Sequence, residues 1–170
     1  VDGGADAIML SGETASGRYP VRSVEVLDAI IRDAESMTTP SVARSGEQPN
    51  VDHTRALSEA AVTLARRSGA HAIVAVTREG QTARLLSAAR PQAIILAATD
   101  NEEVARRLNL WRGVVPMVCD LHGDMEEVIT RVVDGAVKRS SAPDNATLVF
   151  VNTATDLDRG GSNFVRIRRV

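Results

Sequence analysis

The chain of 170 residues is poor in several residue types that particular functions require. It has one cysteine, Cys119, so it cannot form an internal disulfide, which is typical of proteins in a reducing cytoplasm. Aromatic residues make up only 2% of the chain, too few for a surface on which nucleic-acid bases stack. The net charge of −2 also lacks the basic excess that nucleic acid attracts. We therefore expect a cytoplasmic protein that does not bind nucleic acid.

Long apolar runs are missing as well. No run approaches the roughly 18 residues that a membrane-spanning helix needs, so we expect no membrane segment. The chain has no basic segment followed by an apolar one at its start, so we expect no signal peptide. It begins at Val1, directly before a strand pattern, and we interpret it as part of a larger protein. With 44% hydrophobic and 25% charged residues, the composition is that of a globular protein.

The first pattern along the chain is a strand, a polar loop and a helix. Residues 7–10 are a short apolar run that ends at Ser11, and Glu13 lies in the loop that follows. Pro20 then begins a helical pattern, where its missing N–H and fixed φ have little cost. The polar loop thus follows the carboxyl end of the predicted strand, where α/β proteins usually bind ligands.

After this helix, the chain changes character twice. Residues 38–50 are rich in Ser, Thr, Pro and Gly without periodicity, which predicts a linker. From residue 51, helical patterns alternate with nearly continuous apolar runs, which predicts a mostly parallel sheet with helices on both faces. The last connection is short and not helical, so the final two strands should be antiparallel. The predicted strands cover residues 71–76, 93–98, 113–119, 146–151 and 163–170.

Residues 6–20 carry the string D-A-I-M-L-S-G-E-T-A-S-G-R-Y-P, which resembles the last barrel strand and following loop of pyruvate kinases. The rest of the chain resembles the C-terminal domain of that family. The resemblance implies three parts: residues 1–37 as the last β/α unit of a (β/α)8 catalytic barrel, residues 38–50 as a linker, and residues 51–170 as the allosteric and assembly domain. That domain would be a three-layer α/β fold.

The resemblance also implies a function for the parent enzyme. It would transfer a phosphoryl group between phosphoenolpyruvate and ADP in glycolysis, giving pyruvate and ATP, with Mg²⁺ and K⁺ as cofactors. The missing barrel would be the main partner of this chain, and the enzyme would be a homo-oligomer. The chain has no phosphate-binding G-x-x-x-x-G-K-[ST] motif of its own. An alternative is a stand-alone regulatory or oligomerisation module that keeps the fold without catalysis.

Ser11 and Glu13 are the candidate catalytic residues. From the residues alone, turn chemistry is the favoured explanation, with a Ser that caps and a Glu near a helix start. The resemblance implies that both belong to the polar network around the proton-transfer step, at the edge of the active site. The catalytic lysine and the metal ligands of the family would lie on earlier strands, so we predict no metal site in this chain and no activity for the chain alone.

A second candidate site is the turn at residues 77–82, between a predicted strand and a helix. Its glycine, amide and hydroxyl groups suit an anion at a helix N-terminus, although most such turns are only capped loops. The resemblance implies that this turn and the loop at residues 156–162 bind a sugar-phosphate or nucleotide effector. The acids Glu79, Asp156 and Asp158 oppose phosphate. The candidate effector residues are Thr77, Arg78, Gly80, Gln81, Thr82, Arg159, Gly160, Gly161 and Ser162.

Other chemically active residues have simpler interpretations. The three histidines, His53, His71 and His122, lack the spacing of metal ligands, and Cys119 has no paired histidine that would make it a nucleophile. We therefore expect a core position for Cys119 and a packing role for Trp111. The arginines of the last strand, including Arg166, suggest an edge protected by charge. The family resemblance implies the alternative that this strand contacts a second chain.

Overall fold

The computed structural model describes residues 5–37, 53–139, 143, 145–153 and 163–170. By its internal contacts the chain separates into two compact units, Val1–Pro40 and Ser41–Val170. The second unit contains every described strand. Among the described helices, none combines the length and apolar composition that crossing a membrane requires.

The described residues of the first unit form two helices, α1 (Gly12–Ala15) and α2 (Pro20–Met37). Pro20 occupies the first position of α2, as predicted. The strand predicted over residues 7–10 is wrong for this structure, because these residues have no strand conformation. A strand is held by hydrogen bonds to a neighbouring strand, and the described part of this unit supplies no second strand. Met9 is consequently 84% exposed.

The second unit alternates helices and strands. Gly69 has a φ of +62° and ends the first helix, as the sequence predicts. Asn101 caps the third helix of this unit, because its side chain accepts hydrogen bonds from the N–H groups of Glu103 and Val104. The elements are α3 (His53–Ser68), β1 (Ala72–Val76), α4 (Gln81–Ala88), β2 (Ile94–Thr99), α5 (Glu102–Leu108), β3 (Val114–Val118), α6 (Met125–Lys138), β4 (Thr147–Asn152) and β5 (Phe164–Arg169).

The five strands form one sheet in the order β3-β2-β1-β4-β5. All neighbours are parallel except β4 and β5, which are antiparallel, as the short connection between them predicted. β1 lies between two neighbours: β2, the next strand in sequence, pairs with one of its edges, and β4 pairs with the other. The carboxyl ends of β1 and β4 therefore lie side by side where the strand order reverses, with Val76 opposite Asn152. Open α/β sheets typically bind ligands at such a point.

Helices cover both faces of the sheet, which confirms the predicted three-layer α/β fold. On one face, Val128, Ile129 and Val132 of α6 pack against a cluster that includes the fully buried Phe150. On the other face, α3, α4 and α5 pack against the alternate strand residues, which include Ile73 and Ile95. This alternation explains the continuous apolar runs in the sequence, since strands covered on both sides need apolar side chains in both directions.

Candidate functional site

Ser11 and Glu13 lie together at the start of α1. The backbone N–H of Ser11 donates a hydrogen bond of 2.9 Å to a carboxylate oxygen of Glu13. The carbonyl oxygen of Ser11 accepts bonds from the N–H groups of Thr14 (3.2 Å) and Ala15 (3.0 Å), which closes the first turn of the helix. Only one half of a capping box is present, because the Glu13 carboxylate bonds the Ser11 N–H whereas the Ser11 side chain makes no capping hydrogen bond.

Hydrogen bonds from the N–H groups of Glu13 itself and of Ser11 lower the pKa of the Glu13 side chain, because they stabilise its charged form. Glu13 is therefore a carboxylate near neutral pH and accepts hydrogen bonds, but it has no proton to give. The hydroxyl of Ser11 can donate one proton and accept others. Both residues are exposed to solvent. Chemically, the pair can orient or relay a proton, with Ser11 as the donor.

The turn at residues 77–82 begins at the carboxyl end of β1. The N–H of Thr77 donates to the carbonyl of Ala98 (2.9 Å), which continues the pairing with β2 by one residue. The Thr77 hydroxyl accepts a hydrogen bond of 3.0 Å from the N–H of Gly80, so the turn closes on itself. Gly80 has a φ of +84° and directly precedes α4. A glycine is needed here because other residues rarely adopt this conformation.

Two threonines outside this turn support it. The hydroxyl of Thr99, at the end of β2, donates to the carbonyl of Arg78 over 3.4 Å and accepts from the N–H of Asn101 over 3.3 Å. The hydroxyl of Thr82, in the first turn of α4, lies 2.6 Å from the hydroxyl of Thr153, the residue after β4. The turn is thus connected to both strands that flank β1.

The structure brings five of the predicted effector residues together: Thr77, Arg78, Gly80, Gln81 and Thr82. The side chains of Arg78, Glu79 and Gln81 are exposed, whereas Thr77 and Thr82 are buried. The site therefore presents one cation, one acid and one amide to solvent around a buried hydroxyl framework. The other predicted residues, Arg159, Gly160, Gly161 and Ser162, lie outside the described residues, as do Asp156 and Asp158.

Within the described part of the chain, no group of three or more His, Cys, Asp or Glu side chains could hold a metal ion. His122 is exposed and contacts Asp120 through its Nδ1 atom at 2.7 Å.

Cys119 packs against the core, as predicted, and burial raises the pKa of its thiol, so it stays protonated. Trp111 also packs as predicted, with the guanidinium of Arg84 4.8 Å from the centre of its ring.

Sequence reasoning missed Thr99 and Thr153 as parts of the turn. Both follow or end an apolar strand at its carboxyl end, and that position is the only available signal. Their contacts with residues 77–82 depend on which strands flank β1. That order is a property of the folded sheet, whereas the local pattern indicates only that each strand exists.

Comparison with known proteins gives the family. Residues 55–168 match the family model described as pyruvate kinase, alpha/beta domain. A pyruvate kinase of Agrobacterium vitis is 35% identical over 166 residues, covering 96% of this chain and 35% of that protein. A pyruvate kinase of Clostridium acetobutylicum is 32% identical over 171 residues, covering 98% of this chain and 36% of that protein.

Solved structures agree with this match. A crystal structure of a pyruvate kinase from Cryptosporidium parvum has a TM-score of 0.81 at 32% identity, covering 95% of this chain and 32% of that one. The enzyme of the same organism in complex with ADP has a TM-score of 0.80. The chain spans about a third of the length of these relatives. The predicted resemblance to the C-terminal portion of the enzyme is thereby confirmed, and the chain belongs to the pyruvate kinase family.

Proposed function

We propose that this chain is part of a pyruvate kinase that transfers a phosphoryl group between phosphoenolpyruvate and ADP, giving pyruvate and ATP. The observation that carries the proposal is the extent of the match, which covers 96% and 98% of the chain in two bacterial pyruvate kinases. The ADP complex of the Cryptosporidium parvum enzyme supports ADP as the nucleotide. In this proposal, residues 1–37 belong to the catalytic barrel, residues 38–50 are a linker, and residues 51–170 are the allosteric and assembly domain.

Ser11 and Glu13 would contribute the edge of the active site. The carboxylate of Glu13 holds the loop by accepting the N–H of Ser11 at 2.9 Å. The Ser11 hydroxyl can then take part in the hydrogen-bond network that passes a proton to the product. Phosphoryl transfer itself depends on positioning and on charge stabilisation. We assign the groups responsible for that step to the remaining barrel of the parent enzyme.

Mg²⁺ and K⁺ belong to the same proposal, as cofactors of the parent enzyme. When bound, Mg²⁺ supplies electrostatic stabilisation for the transferred phosphoryl group. Among the described residues, no group of three or more His, Cys, Asp or Glu side chains could hold a metal ion. We assign the ligands of both ions to the remaining barrel. The compartment that we propose for the enzyme is the cytoplasm.

The test uses the complete enzyme encoded by the source gene. It should form pyruvate from phosphoenolpyruvate and ADP, and Ser11→Ala should lower kcat by at least about tenfold, since general acid–base groups typically contribute more than that. Ser16→Ala is the matched control, because the Ser16 hydroxyl in the same loop contacts only the Gly12 carbonyl at 3.5 Å. Equal activity of both variants would contradict a role for Ser11 in proton transfer.

The alternative is a stand-alone regulatory or oligomerisation module without catalysis. It is favoured by one observation: the described residues of the unit Ser41–Val170 form a five-stranded sheet with a core on each face. The reading frame upstream of Val1 separates the two possibilities. Seven further β/α units support the enzyme, whereas a stop codon shortly before Val1 supports the module.

Two further roles belong to the assembly domain. We propose that the turn at residues 77–82 binds an anionic effector, a sugar phosphate or a nucleotide, beside the reversal of the strand order.

We also propose a homo-oligomer in which the outer strand β5, with its exposed Ile167, contacts a second copy. Sedimentation of the chain and of Ile167→Asp tests the second proposal, since the charge should dissociate that contact.

A further inference from the structure

The pair formed by Thr82 and Thr153 joins two parts of the chain that are 71 residues apart in sequence. Val76 and Asn152 are partners in the sheet, so Thr77 and Thr153 are the first residues beyond the paired strands. Thr82 lies one turn further on, at the start of α4. Its hydroxyl oxygen lies 2.6 Å from that of Thr153, a short distance for a bond between two hydroxyls. The contact therefore spans the point where the strand order reverses.

The Thr82 side chain has little access to water, since the residue is only 2% exposed. A buried hydroxyl needs a partner, because leaving one unsatisfied is costly. A hydroxyl has one proton and two acceptor lone pairs. Either hydroxyl of the pair can be the donor, and the bond gives each of them a partner. Without Thr153, the buried Thr82 hydroxyl would lose this partner.

We propose that Thr153 is a positioning residue for the turn at residues 77–82. Its hydroxyl bonds that of Thr82 and so holds the start of α4, and with it the turn, beside the end of β4. Thr153 itself does not touch the ligand. The inference rests on the proposed effector function of this turn, and it adds the residue on which the position of Thr82, at the start of α4, depends.

The first experiment tests the hydroxyl pair without a ligand. Thr82→Val, Thr153→Val and the double variant are compared by chemical denaturation of the full chain. If the two hydroxyls bond each other in solution, the second substitution costs less in the presence of the first. We expect this coupling to change the unfolding constant by about two- to tenfold, the range for a neutral hydrogen bond. Strictly additive losses would overturn the pair, whatever the turn binds.

The second experiment tests the positioning role with inorganic phosphate and fructose 1,6-bisphosphate as probes, by calorimetry in the Glu79→Ser background. We expect Thr153→Val to weaken binding about five- to tenfold and Thr153→Ser to restore it within about twofold, since only the hydroxyl matters. Thr130→Val is the matched control, because the Thr130 hydroxyl bonds only locally, to the Glu126 carbonyl at 2.8 Å.

The outcomes separate the two proposals. Equal affinity of Thr153→Val and its background would overturn the positioning role and leave the effector site intact. Failure of the background itself to bind either probe would overturn the effector site, and with it the ligand part of the inference. In that case the coupling between Thr82 and Thr153 would still be measured by the first experiment.

Discussion

At the scale of single residues, Glu79 has the largest expected effect on what the turn binds. A carboxylate about 4 Å from one phosphate charge repels it by roughly 1 kcal/mol in water and roughly 4 kcal/mol at an effective dielectric near 20. A phosphate group carries almost two charges. Because the Glu79 side chain is exposed, the lower figure applies best. We therefore expect Glu79→Ser to tighten the binding of a sugar bisphosphate about tenfold, measured by calorimetry.

The gain should shrink as salt is added, because ions screen an exposed charge. Glu59→Ser is the control, since it removes an equal charge from an exposed position on α3, where the carboxylate pairs with Arg55. Micromolar binding by the unmutated chain would show that Glu79 does not oppose phosphate at this site.

Asp120 makes the clearest prediction for the dependence of stability on pH. Hydrogen bonds from the N–H and the side chain of His122, together with the nearby charge of Arg131, lower its pKa. Arg131 holds the same loop by donating to the carbonyls of Asp120 and His122, and its guanidinium lies 2.9 Å from the Asp120 carboxylate. The ionised form of Asp120 is thus favoured by folding.

Because the folded-state pKa of Asp120 is lowered, its stabilising effect is complete above the unfolded value of about 3.9 and is lost as the pH falls through the folded value. Asp120→Asn should therefore lower the melting temperature at pH 7, and this effect should shrink as the pH falls below about 4. Asp124→Asn in the same loop is the control, since the Asp124 side chain makes no capping hydrogen bond. A loss of stability that is independent of pH would contradict this role.

At the scale of elements, the start of α4 depends on a close approach to α5. A side chain at Gly80 would place its Cβ 3.1 Å from a methyl carbon of Leu108 and 3.4 Å from one of Val104. Gly69 has a similar positive φ, but nothing lies within 4 Å of its Cβ position. Both alanine variants bear a conformational cost of about 1–2 kcal/mol. We expect Gly80→Ala to cost roughly 1–3 kcal/mol more by chemical denaturation, because it also overpacks the core.

Equal losses for the two glycine variants would show that Leu108 and Val104 move aside without cost. In that case the close approach of Gly80 to Leu108 and Val104 of α5 would not determine the position of the turn.

The sequence predicts most elements of the sheet unit because their patterns are local. Nearly continuous apolar runs predict β1 and β4, because a strand that is covered on both faces needs apolar side chains in both directions. The clearest helical stripe, from Met125 to Val137, corresponds to α6. The antiparallel direction of β5 is predicted by the short connection between β4 and β5. In each case, the signal lies within a few residues of the element that it predicts.

The missed features depend on distant parts of the chain. The apolar run at residues 7–10 has the composition of a strand, but a strand needs a neighbour with which to pair. The bond between Thr82 and Thr153 requires β4 to lie beside β1, which no local pattern specifies. The effector role of the residues at the turn stays a prediction. Their composition suits an anion at a helix N-terminus, but most such turns are only capped loops, and the specific effector comes from the family resemblance.

At the scale of the whole molecule, the division into parts predicts how the chain is cleaved. Residues 38–50, which lie outside the described residues, are rich in Ser, Thr, Pro and Gly, a composition that proteases cut readily. We expect limited proteolysis to cut within this range first. The product should be a resistant core from the second unit, because α3 to α6 pack against both faces of its sheet. Uniform protection of residues 38–50 would count against a linker.

The central claim is that this chain supplies the edge of a pyruvate kinase active site and lacks its centre. The most direct test is a coupled assay for pyruvate with the chain of 170 residues, phosphoenolpyruvate, ADP, Mg²⁺ and K⁺. We expect no turnover, because metal-borne charge stabilisation is worth several kcal/mol and its ligands are assigned to the remaining barrel. Any residual rate should be the same for the double variant Ser11→Ala, Glu13→Ala, because it would come from a contaminating enzyme that does not carry these substitutions. Turnover by the chain that this double variant abolishes would contradict the claim.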